Sequence, residues 1–291
     1  MSQFYLAALQ LALCLGPMAM GIFITMKVFN IPDITTDGSY TLGATVSAIL
    51  ITSNYPLWMV FAISLLAGAL AGTFTGLIHT KLKIDALLSG ILVMTALFSI
   101  NLMIMGRSNI PLVNIQSIFT VIHFFDNDIY NQFIIAFIIV VLLLSIIIYL
   151  LKTDFGISMR ATGNNPIMTK ALGVNNDKIK IIGLALANSL TALSGVLVSQ
   201  YQGFADINMG IGIVITGLGS VLIADVVKTF FNVKSISWQI IFVIVGAVVF
   251  QSVLAFTLSI GVDPNLLKLI TALFVLLIVA LPKISNSFSK K

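Results

Sequence analysis

Long apolar segments recur along the whole chain and restrict its possible folds more than any other feature. An α-helix needs roughly 20 apolar residues to cross the hydrocarbon core of a bilayer. Apolar segments are found at residues 4–26, 41–53, 57–78, 84–106, 130–151, 179–200, 208–227, 236–258 and 264–281. The second segment is short for a full crossing. We therefore predict an all-α polytopic membrane protein with about nine transmembrane helices, forming a single membrane domain over residues 1–291.

The composition excludes an ordinary soluble domain. Only 9% of the 291 residues are charged and 59% are hydrophobic, whereas a soluble domain carries about 25% charged residues. Residues 1–21 lack the basic cluster of a secretory signal, so segment 4–26 is predicted to remain as the first span. Cys14 is the single cysteine, so neither an internal disulfide nor a cysteine metal cluster is expected.

The positive charges are distributed unevenly between the predicted loops. When the loop at 152–180 is assigned to the cytoplasm, 13 of the 15 basic residues lie on the cytoplasmic side. These are Lys27, Lys81, Lys83, Lys152, Arg160, Lys170, Lys178, Lys180, Lys228, Lys234, Lys283, Lys290 and Lys291. Only Arg107 and Lys268 lie outside. Because lysine and arginine concentrate in cytoplasmic loops, we predict nine passes with the N-terminus outside and the C-terminus inside. This topology explains the net charge of +5, and no nucleic-acid partner is expected.

A polar segment in the middle of the chain, GNNPIMTKALGVNNDKIK at residues 163–180, carries the signals of a short helix in water. The side chain of Asn164 or Asn165 can cap the start of this helix. Pro166 suits the first helical position, where its missing N–H has no cost. Gly173 permits a left-handed stop. The segment therefore predicts about two turns of helix between two spans.

The predicted loop helix has two possible interpretations. Its side chains that can share one apolar face are Ile167, Ala171 and Leu172. Lys170 points elsewhere, and Asn176 or Asp177 can cap the span that follows. One interpretation is a solvated loop helix without a function. The other is a docking helix that offers its apolar face to a groove on a cytoplasmic partner.

Two polar, irregular stretches occupy matching places in the chain. NIPDITTDGSYTLGA begins at residue 30 and FADINMGIGIVITGLGS at residue 204. Each contains an Asp-Ile pair, then glycines, then a Leu-Gly pair, namely Asp33–Ile34 with Leu42–Gly43 and Asp206–Ile207 with Leu218–Gly219. The first stretch follows a span predicted to run inward, and the second follows a span predicted to run outward. Paired broken segments in inverted halves indicate a transport path.

These stretches predict two inverted four-helix repeats with discontinuous helices. The predicted parts are repeat one at about 4–106, a linking span at 130–151, a cytoplasmic loop at 152–180 and repeat two at about 179–282.

The chain lacks the common motifs of ATP binding and hydrolysis. It contains no G-x-x-x-x-G-K-[ST], H-E-x-x-H or G-x-S-x-G motif, so we expect neither an enzyme nor a metal site. All ten acidic residues are aspartates. Apart from Asp85 at the edge of segment 84–106, only Asp225 lies within an apolar segment, where it is predicted to pair with Lys228. An ion-coupled secondary carrier, the main alternative, usually needs carboxylates deep in the membrane. A structural membrane component would have no use for a docking helix.

Two parts of the sequence carry a family resemblance. RATGNNPIMTKALGVNNDKIKIIGLALANSLTALSGVL, from residue 160, resembles the cytoplasmic loop and following span of ABC importer permeases of the ribose and branched-chain amino-acid class. IPDITTDGSYTLGATVSA, from residue 31, resembles a motif of the same family. The resemblance runs from residue 4 to about 283. The extra first helix of the sugar permeases is missing. The residues Pro32 and Thr35–Thr36 resemble more closely the subgroup associated with aromatic amino-acid binding proteins.

The resemblance implies an architecture and a set of partners. It implies two inverted four-helix sets, as in cobalamin permeases, with a coupling helix before the second set. The implied partners are a second permease copy, two ABC ATPase subunits, an extracytoplasmic substrate-binding protein and the lipid of a bacterial cytoplasmic membrane. ATP and Mg²⁺ would be bound by the ATPase, so no cofactor is expected in this chain. The substrate is expected to be a small polar solute such as an amino acid.

The implied functional residues fall into two groups. The ATPase-docking helix comprises Asn165, Pro166, Ile167, Met168, Lys170, Ala171, Leu172 and Gly173. The expected translocation path comprises Asp33, Thr35, Thr36, Asp37, Gly38, Ser89, Thr95, Ser99, Asn101, Asp206 and Asn208. Irregular backbone at membrane depth faces protein or a wet cavity. Two alternatives remain open, because Asp33 and Asp37 can simply cap the second span, and polar residues of the fourth span can hold helices together.

Overall fold

The computed structural model describes residues 2–113, 115–125, 127–263 and 266–288. Pro264, which opens the ninth predicted segment, and Lys290 and Lys291 of the basic set lie outside these ranges. The helices are α1 (Ser2–Phe23), α2 (Thr35–Thr52), α3 (Leu57–Lys81), α4 (Ala86–Met105), α5 (Ile118–Val121), α6 (Asp128–Lys152), α7 (Asp154–Asn164), α8 (Pro166–Ala171), α9 (Asn176–Gln202), α10 (Ile213–Phe230), α11 (Ile236–Ser259) and α12 (Leu267–Phe288). A π-helical turn, Ile24–Val28, extends α1.

Nine helices in the described part of the chain correspond to the nine predicted segments. Seven of them, α1 with its π-helical extension, α3, α4, α6, α9, α10 and α11, are long and apolar enough to cross a membrane. In α12, the apolar stretch within the described residues is Leu267–Ile278. Helix α2 does not reach the same apolarity. The protein is therefore an all-α membrane protein, and seven helices of its described residues satisfy the length and composition of a span.

Helix α2 starts earlier than the apolar pattern predicts. The apolar pattern predicted a segment at 41–53, but the helix begins at Thr35. The residues of its first turns are small and polar, yet Thr35 and Thr36 are completely buried. The apolar pattern of a sequence marks helices whose side chains are apolar, as lipid requires. The polar side chains of the first turns of α2 face other helices instead, so the apolar pattern does not include them.

The core of the fold is formed by α1, α2 and α9. Residues 12–25, 35–45 and 187–200 are buried without interruption. Helices α2 and α9 approach closely because glycines remove side chains at their crossing, with Gly43 against the backbone of Ala192 and Gly195 against the backbone of Tyr40. Small residues allow this close approach in membrane proteins.

The helix contacts repeat in the two halves of the chain. Helices α2 and α3 pack on each other and on α9, and α10 and α11 pack on each other and on α1. In the same way, α4 packs on α2 and α12 packs on α10. Exchanging α1–α4 with α9–α12 therefore reproduces these contacts.

A short antiparallel sheet lies between the ends of α4 and α9. Strand β1 (Asn109–Pro111) pairs with β2 (Phe204–Asp206), with Ile110 opposite Ala205. Both central residues are buried. The sheet holds the end of α9 and the loop before α10 against the loop that follows α4. The apolar pattern did not predict these strands.

Candidate functional site

The loop helix α8 has the local structure that the sequence predicted. The Oδ1 of Asn165 accepts a hydrogen bond from the backbone N–H of Met168 at 3.0 Å and caps the helix. Pro166 occupies the first turn. Gly173 has φ +83°, the left-handed conformation that glycine adopts without strain. Between the two proposed capping residues, the structure selects Asn165 over Asn164.

Three apolar side chains of α8 and its cap project into solvent. Ile167 is 82% exposed, Met168 58% and Leu172 70%, and we call these three residues the α8 apolar surface. Thr169 is the buried residue of the helix. Ala171 and Lys170 are also exposed. An exposed apolar group on a polar loop is typical of a protein contact site.

The start of α9 differs from the prediction. Neither Asn176 nor Asp177 caps this helix, because the Oδ1 of Asn175 accepts the hydrogen bond from the backbone N–H of Lys178 at 3.1 Å. The capping residue therefore lies one residue earlier in the chain than predicted. Asp177 instead pairs with Lys81 at the end of α3, at 3.4 Å. The side chain of Asn176 is directed towards α8.

The carboxylate of Asp33 holds the start of α2 inside the protein. Its Oδ1 accepts a hydrogen bond from the backbone N–H of Thr35 at 2.9 Å. Its Oδ2 accepts one from the Nδ2 of Asn188, in the middle of α9, at 2.8 Å. The hydroxyl of Ser39 donates to the Oδ1 of Asn188 at 2.7 Å. Since all three side chains are buried, they form a polar cluster that joins α2 to α9.

The carboxylate of Asp37 joins two helix starts. Asp37 lies in the first turn of α2, and its two oxygens accept hydrogen bonds from the backbone N–H groups of Gly212, at 2.8 Å, and Val214, at 2.9 Å. These groups belong to the start of α10. A carboxylate is favourable there because the N-terminus of a helix carries a partial positive charge. The starts of α2 and α10 therefore meet inside the protein.

The other residues of the expected path divide by exposure. Thr36 and Gly38 are buried, and the hydroxyls of Thr35 and Thr75 share a hydrogen bond of 2.8 Å. On α4, Ser89 and Asn101 are buried. The Nδ2 of Asn101 donates to the carbonyl of Gly38 at 3.3 Å.

Two polar residues of α4 face away from the fold. Thr95 and Ser99 are exposed, as expected for residues that share one helix face. The hydroxyl of Thr95 donates to the carbonyl of Ile91 at 2.7 Å. This intrahelical bond satisfies the hydroxyl within α4.

Asp206 and Asn208 lie at the short sheet and not in the buried cluster. The Oδ1 of Asp206 accepts a hydrogen bond from the backbone N–H of Asn208 at 2.8 Å, and the Oδ2 accepts one from the Nδ2 of Asn109 at 3.3 Å. Asp206 is partly exposed and Asn208 is exposed. The two Asp-Ile pairs thus have different environments, since Asp33 is buried.

The expected pairing of Asp225 with Lys228 is wrong. The carboxylate of Asp225 forms an ion pair with Lys27, in the π-helical turn after α1. The two residues are distant in sequence, so helical spacing on α10 alone could not identify the partner. The ion pair joins the end of α1 to the end of α10.

Two buried amides of α9, Asn188 and Gln200, were not identified from the sequence, and Asn176 was identified only as a possible cap. Asn176, Asn188 and Gln200 lie along one of the most buried helices. Gln200 accepts from the N–H of Ile118 at 2.9 Å and donates to the hydroxyl of Ser47 at 3.2 Å. The signal that could have found Asn188 is an amide in the middle of an apolar span, since such groups bond to neighbouring helices.

Comparison with known proteins identifies the family. Residues 4–281 match the family of permease components of branched-chain amino acid transport systems. The chain is 39% identical over 280 residues to a tyrosine transport system permease protein of Clostridioides difficile, covering 96% of this chain and 91% of that protein. It is 25% identical over 216 residues to the ribose import permease protein RbsC of Haemophilus influenzae, covering 70% and 63% of the two chains.

A solved structure has the same fold. A metal-chelate type ABC transporter in an inward-facing conformation matches with a TM-score of 0.50 at 16% identity, over 92% of this chain and 82% of that chain. The match over residues 4–281 and the identity to the tyrosine transport permease confirm the family resemblance stated from the sequence. A permease component is the multi-pass membrane part of an ABC transporter and is not itself catalytic. This chain belongs to the family of permease components of branched-chain amino acid transport systems.

Proposed function

We propose that this chain is the translocating subunit of an ABC importer that takes up an amino acid, with an aromatic amino acid such as tyrosine as the first candidate. In this proposal, two copies of the chain form the path across the bacterial cytoplasmic membrane. Two ATPase subunits bind ATP and Mg²⁺ on the inner face, and a substrate-binding protein delivers the solute to the outer face. The similarity to the tyrosine transport permease supports the substrate class.

The observation that carries the proposal is the α8 apolar surface. Its three side chains, Ile167, Met168 and Leu172, are between 58% and 82% exposed. Helix α8 has only six residues, so it is positioned by its caps and tertiary contacts and is not stable by itself. A rigidly held apolar surface on a polar loop suits the groove of a partner protein. We assign this surface to the ATPase.

Two inverted repeats form the moving parts in this proposal. The exchange symmetry of the helix contacts supports α1–α4 as repeat one and α9–α12 as repeat two, with α6 as the linking span. The meeting of the α2 and α10 starts at Asp37 supports a pair of discontinuous helices. Closure of the ATPase dimer would displace α8 and rock the repeats between outward-facing and inward-facing states.

The path between two copies would be lined by exposed polar groups. Within the helix bundle, Thr95 and Ser99 on α4 are the members of the expected set whose side chains are exposed in the single chain. We propose that they face the path when a second copy is present. The buried members, centred on Asp33 and Asp37, would instead hold the discontinuous helices in place.

An ion-coupled secondary carrier fits the contacts less well. Such a carrier needs carboxylates at membrane depth that can bind an ion. The two buried aspartates already have partners, since Asp33 accepts bonds from Thr35 and Asn188 and Asp37 accepts bonds from Gly212 and Val214. We therefore assign the driving force for transport to ATP hydrolysis by the ATPase.

Transport is tested with the permease, the ATPase and the binding protein reconstituted in lipid vesicles. We expect accumulation of radiolabelled tyrosine with ATP and none with a proton or sodium gradient alone. Leu172→Asp should abolish capture of the ATPase and ATP-driven uptake. An unpaired carboxylate buried in the contact costs roughly 3 kcal/mol or more, which weakens binding by about a hundredfold or more.

Leu82→Asp is the matched control for Leu172→Asp. Leu82 is 67% exposed and Leu172 is 70% exposed, and both lie on the side assigned to the cytoplasm. The control should bind the ATPase and transport like the parent. Unchanged ATPase capture by Leu172→Asp would show that α8 is not the docking helix. Uptake driven by an ion gradient without ATP would favour a secondary carrier.

The orientation is tested by labelling single introduced cysteines in intact cells. Val262→Cys should react with a membrane-impermeant thiol reagent, and Met168→Cys should react only after the membrane is opened. The natural Cys14 is buried and contributes little background. Labelling of Met168→Cys in intact cells would place the α8 loop outside and reverse the topology.

A further inference from the structure

Asn176, on α9, contacts two other helices, α7 and α8, with one amide group. It is the first residue of α9. Its Oδ1 accepts a hydrogen bond from the hydroxyl of Thr169, on α8, at 2.8 Å, and lies 3.4 Å from the hydroxyl of Thr162, on α7. Its Nδ2 donates to the carbonyl of Pro166, at the start of α8, at 2.6 Å. Both sides of the amide are therefore engaged between helices.

The capping of α9 does not require Asn176. Asn175 caps α9 by accepting from the N–H of Lys178, which leaves the neighbouring amide available for contacts with other helices. Thr169, its main partner, is 2% exposed and is the buried residue of α8. The rest of the connection between α8 and α9 is a turn that contains Gly173 at φ +83°. The side chain of Asn176 thus fixes α8 directly on α9.

Helix α9 carries this contact into the core. Asn188 lies three turns further along α9, about 18 Å from Asn176 at 1.5 Å per residue. There it donates to Asp33 and accepts from Ser39 on α2. The helix is buried without interruption from Ala187 to Gln200. Two asparagines on one helix therefore bind the loop helix at one end and the start of α2 further along.

We propose that Asn176 is the positioning residue that fixes α8 to α9, so that displacement of α8 moves α9 and, through Asn188, the start of α2. This inference rests on the proposed function, in which α8 binds the ATPase. A helix of six residues keeps its position only through its tertiary contacts. Without the Asn176 amide, the turn at Gly173 would absorb the displacement. The α8 apolar surface would still be available to the ATPase.

Asn176→Ala tests this role in the reconstituted importer. The variant should capture the ATPase and hydrolyse ATP at the basal rate of the parent. The number of tyrosine molecules imported per ATP hydrolysed should fall about tenfold, which is a typical size for energetic coupling between two sites. Asn176→Asp keeps the acceptor for Thr169 but loses the donor to Pro166, so it should restore part of this ratio.

Asn175→Ala is the control, because it removes the cap of α9 and leaves the Asn176 contacts in place. It should retain the transport ratio of the parent. An unchanged ratio in Asn176→Ala with normal ATPase capture would overturn the inference. Loss of ATPase capture together with a lower Tm would also overturn it, since Asn176 would then only help the loop to fold. Failure of the docking assignment is recognised separately, by normal ATPase capture in Leu172→Asp.

Discussion

Gly43→Ala should prevent the native packing of α2 on α9. A Cβ atom at residue 43 would lie 2.5 Å from the carbonyl carbon and 2.7 Å from the Cα of Ala192, and closer still to the carbonyl oxygen. These are backbone atoms of a buried helix and cannot move aside as a side chain can. Overpacking of this kind typically costs 1–3 kcal/mol and more where the backbone must shift. We expect a loss of roughly 3 kcal/mol or more in the free energy of unfolding.

The measurement is the yield of monodisperse protein and its Tm in detergent. Gly16→Ala on α1 is the matched control, because the same added methyl group would meet the Cδ1 end of the Ile244 side chain at 3.2 Å. A side-chain end can rotate, so this variant should keep the yield of the parent. A normal Tm and normal uptake in Gly43→Ala would contradict the close helix crossing.

Asp37→Ala should loosen the contact between the two discontinuous helices. The change removes the acceptor of two backbone N–H groups, those of Gly212 and Val214, and leaves them unpaired at partly buried positions. A hydrogen bond to a charged group contributes about 1.5–3 kcal/mol. The free energy of unfolding should therefore fall by roughly 3 kcal/mol or more, and uptake should fall with it. Asp37→Asn keeps one oxygen acceptor and should give a smaller loss.

Asp206→Ala provides the comparison for Asp37→Ala. Asp206 also accepts a backbone N–H bond, from Asn208 at 2.8 Å, but it lies partly exposed at the short sheet. Water can replace this acceptor, so the loss should be roughly 1 kcal/mol. Thermal unfolding in detergent measures both variants. Equal losses of unfolding free energy in the two variants would show that Asp37 gains no extra stabilising effect from its position between the two helix starts.

Local signals in the sequence predicted α8 well. Asn165, Pro166 and Gly173 act on backbone groups within a few residues of themselves, so their roles do not depend on the rest of the fold. The long apolar helices were predicted for a similar reason, because the bilayer requires the same length and composition of every lipid-facing span. The cap of α9 was predicted at the wrong residue, since three consecutive residues, Asn175 to Asp177, could each serve.

Contacts between distant residues were not predictable from one sequence. The start of α2 was missed because its polar side chains are hidden against other helices. Asp225 was assigned to Lys228, a neighbour on its own helix, whereas its partner Lys27 comes from another helix. Asp33 and Asp206 occur in similar sequence patterns but lie in different environments. Each of these outcomes depends on which helix faces the residue.

The sequence by itself determined that the chain is a helical membrane protein, because apolar length and helix caps act locally or against the bilayer. Its motifs carried the resemblance to a permease family. Tertiary structure decided what the polar residues do. Asn176 fixes α8 to α9, Asn188 holds Asp33, and Asp37 receives the start of α10. A buried polar group must find a hydrogen-bond partner, but its partner is whichever group the packing of the helices brings within about 3 Å.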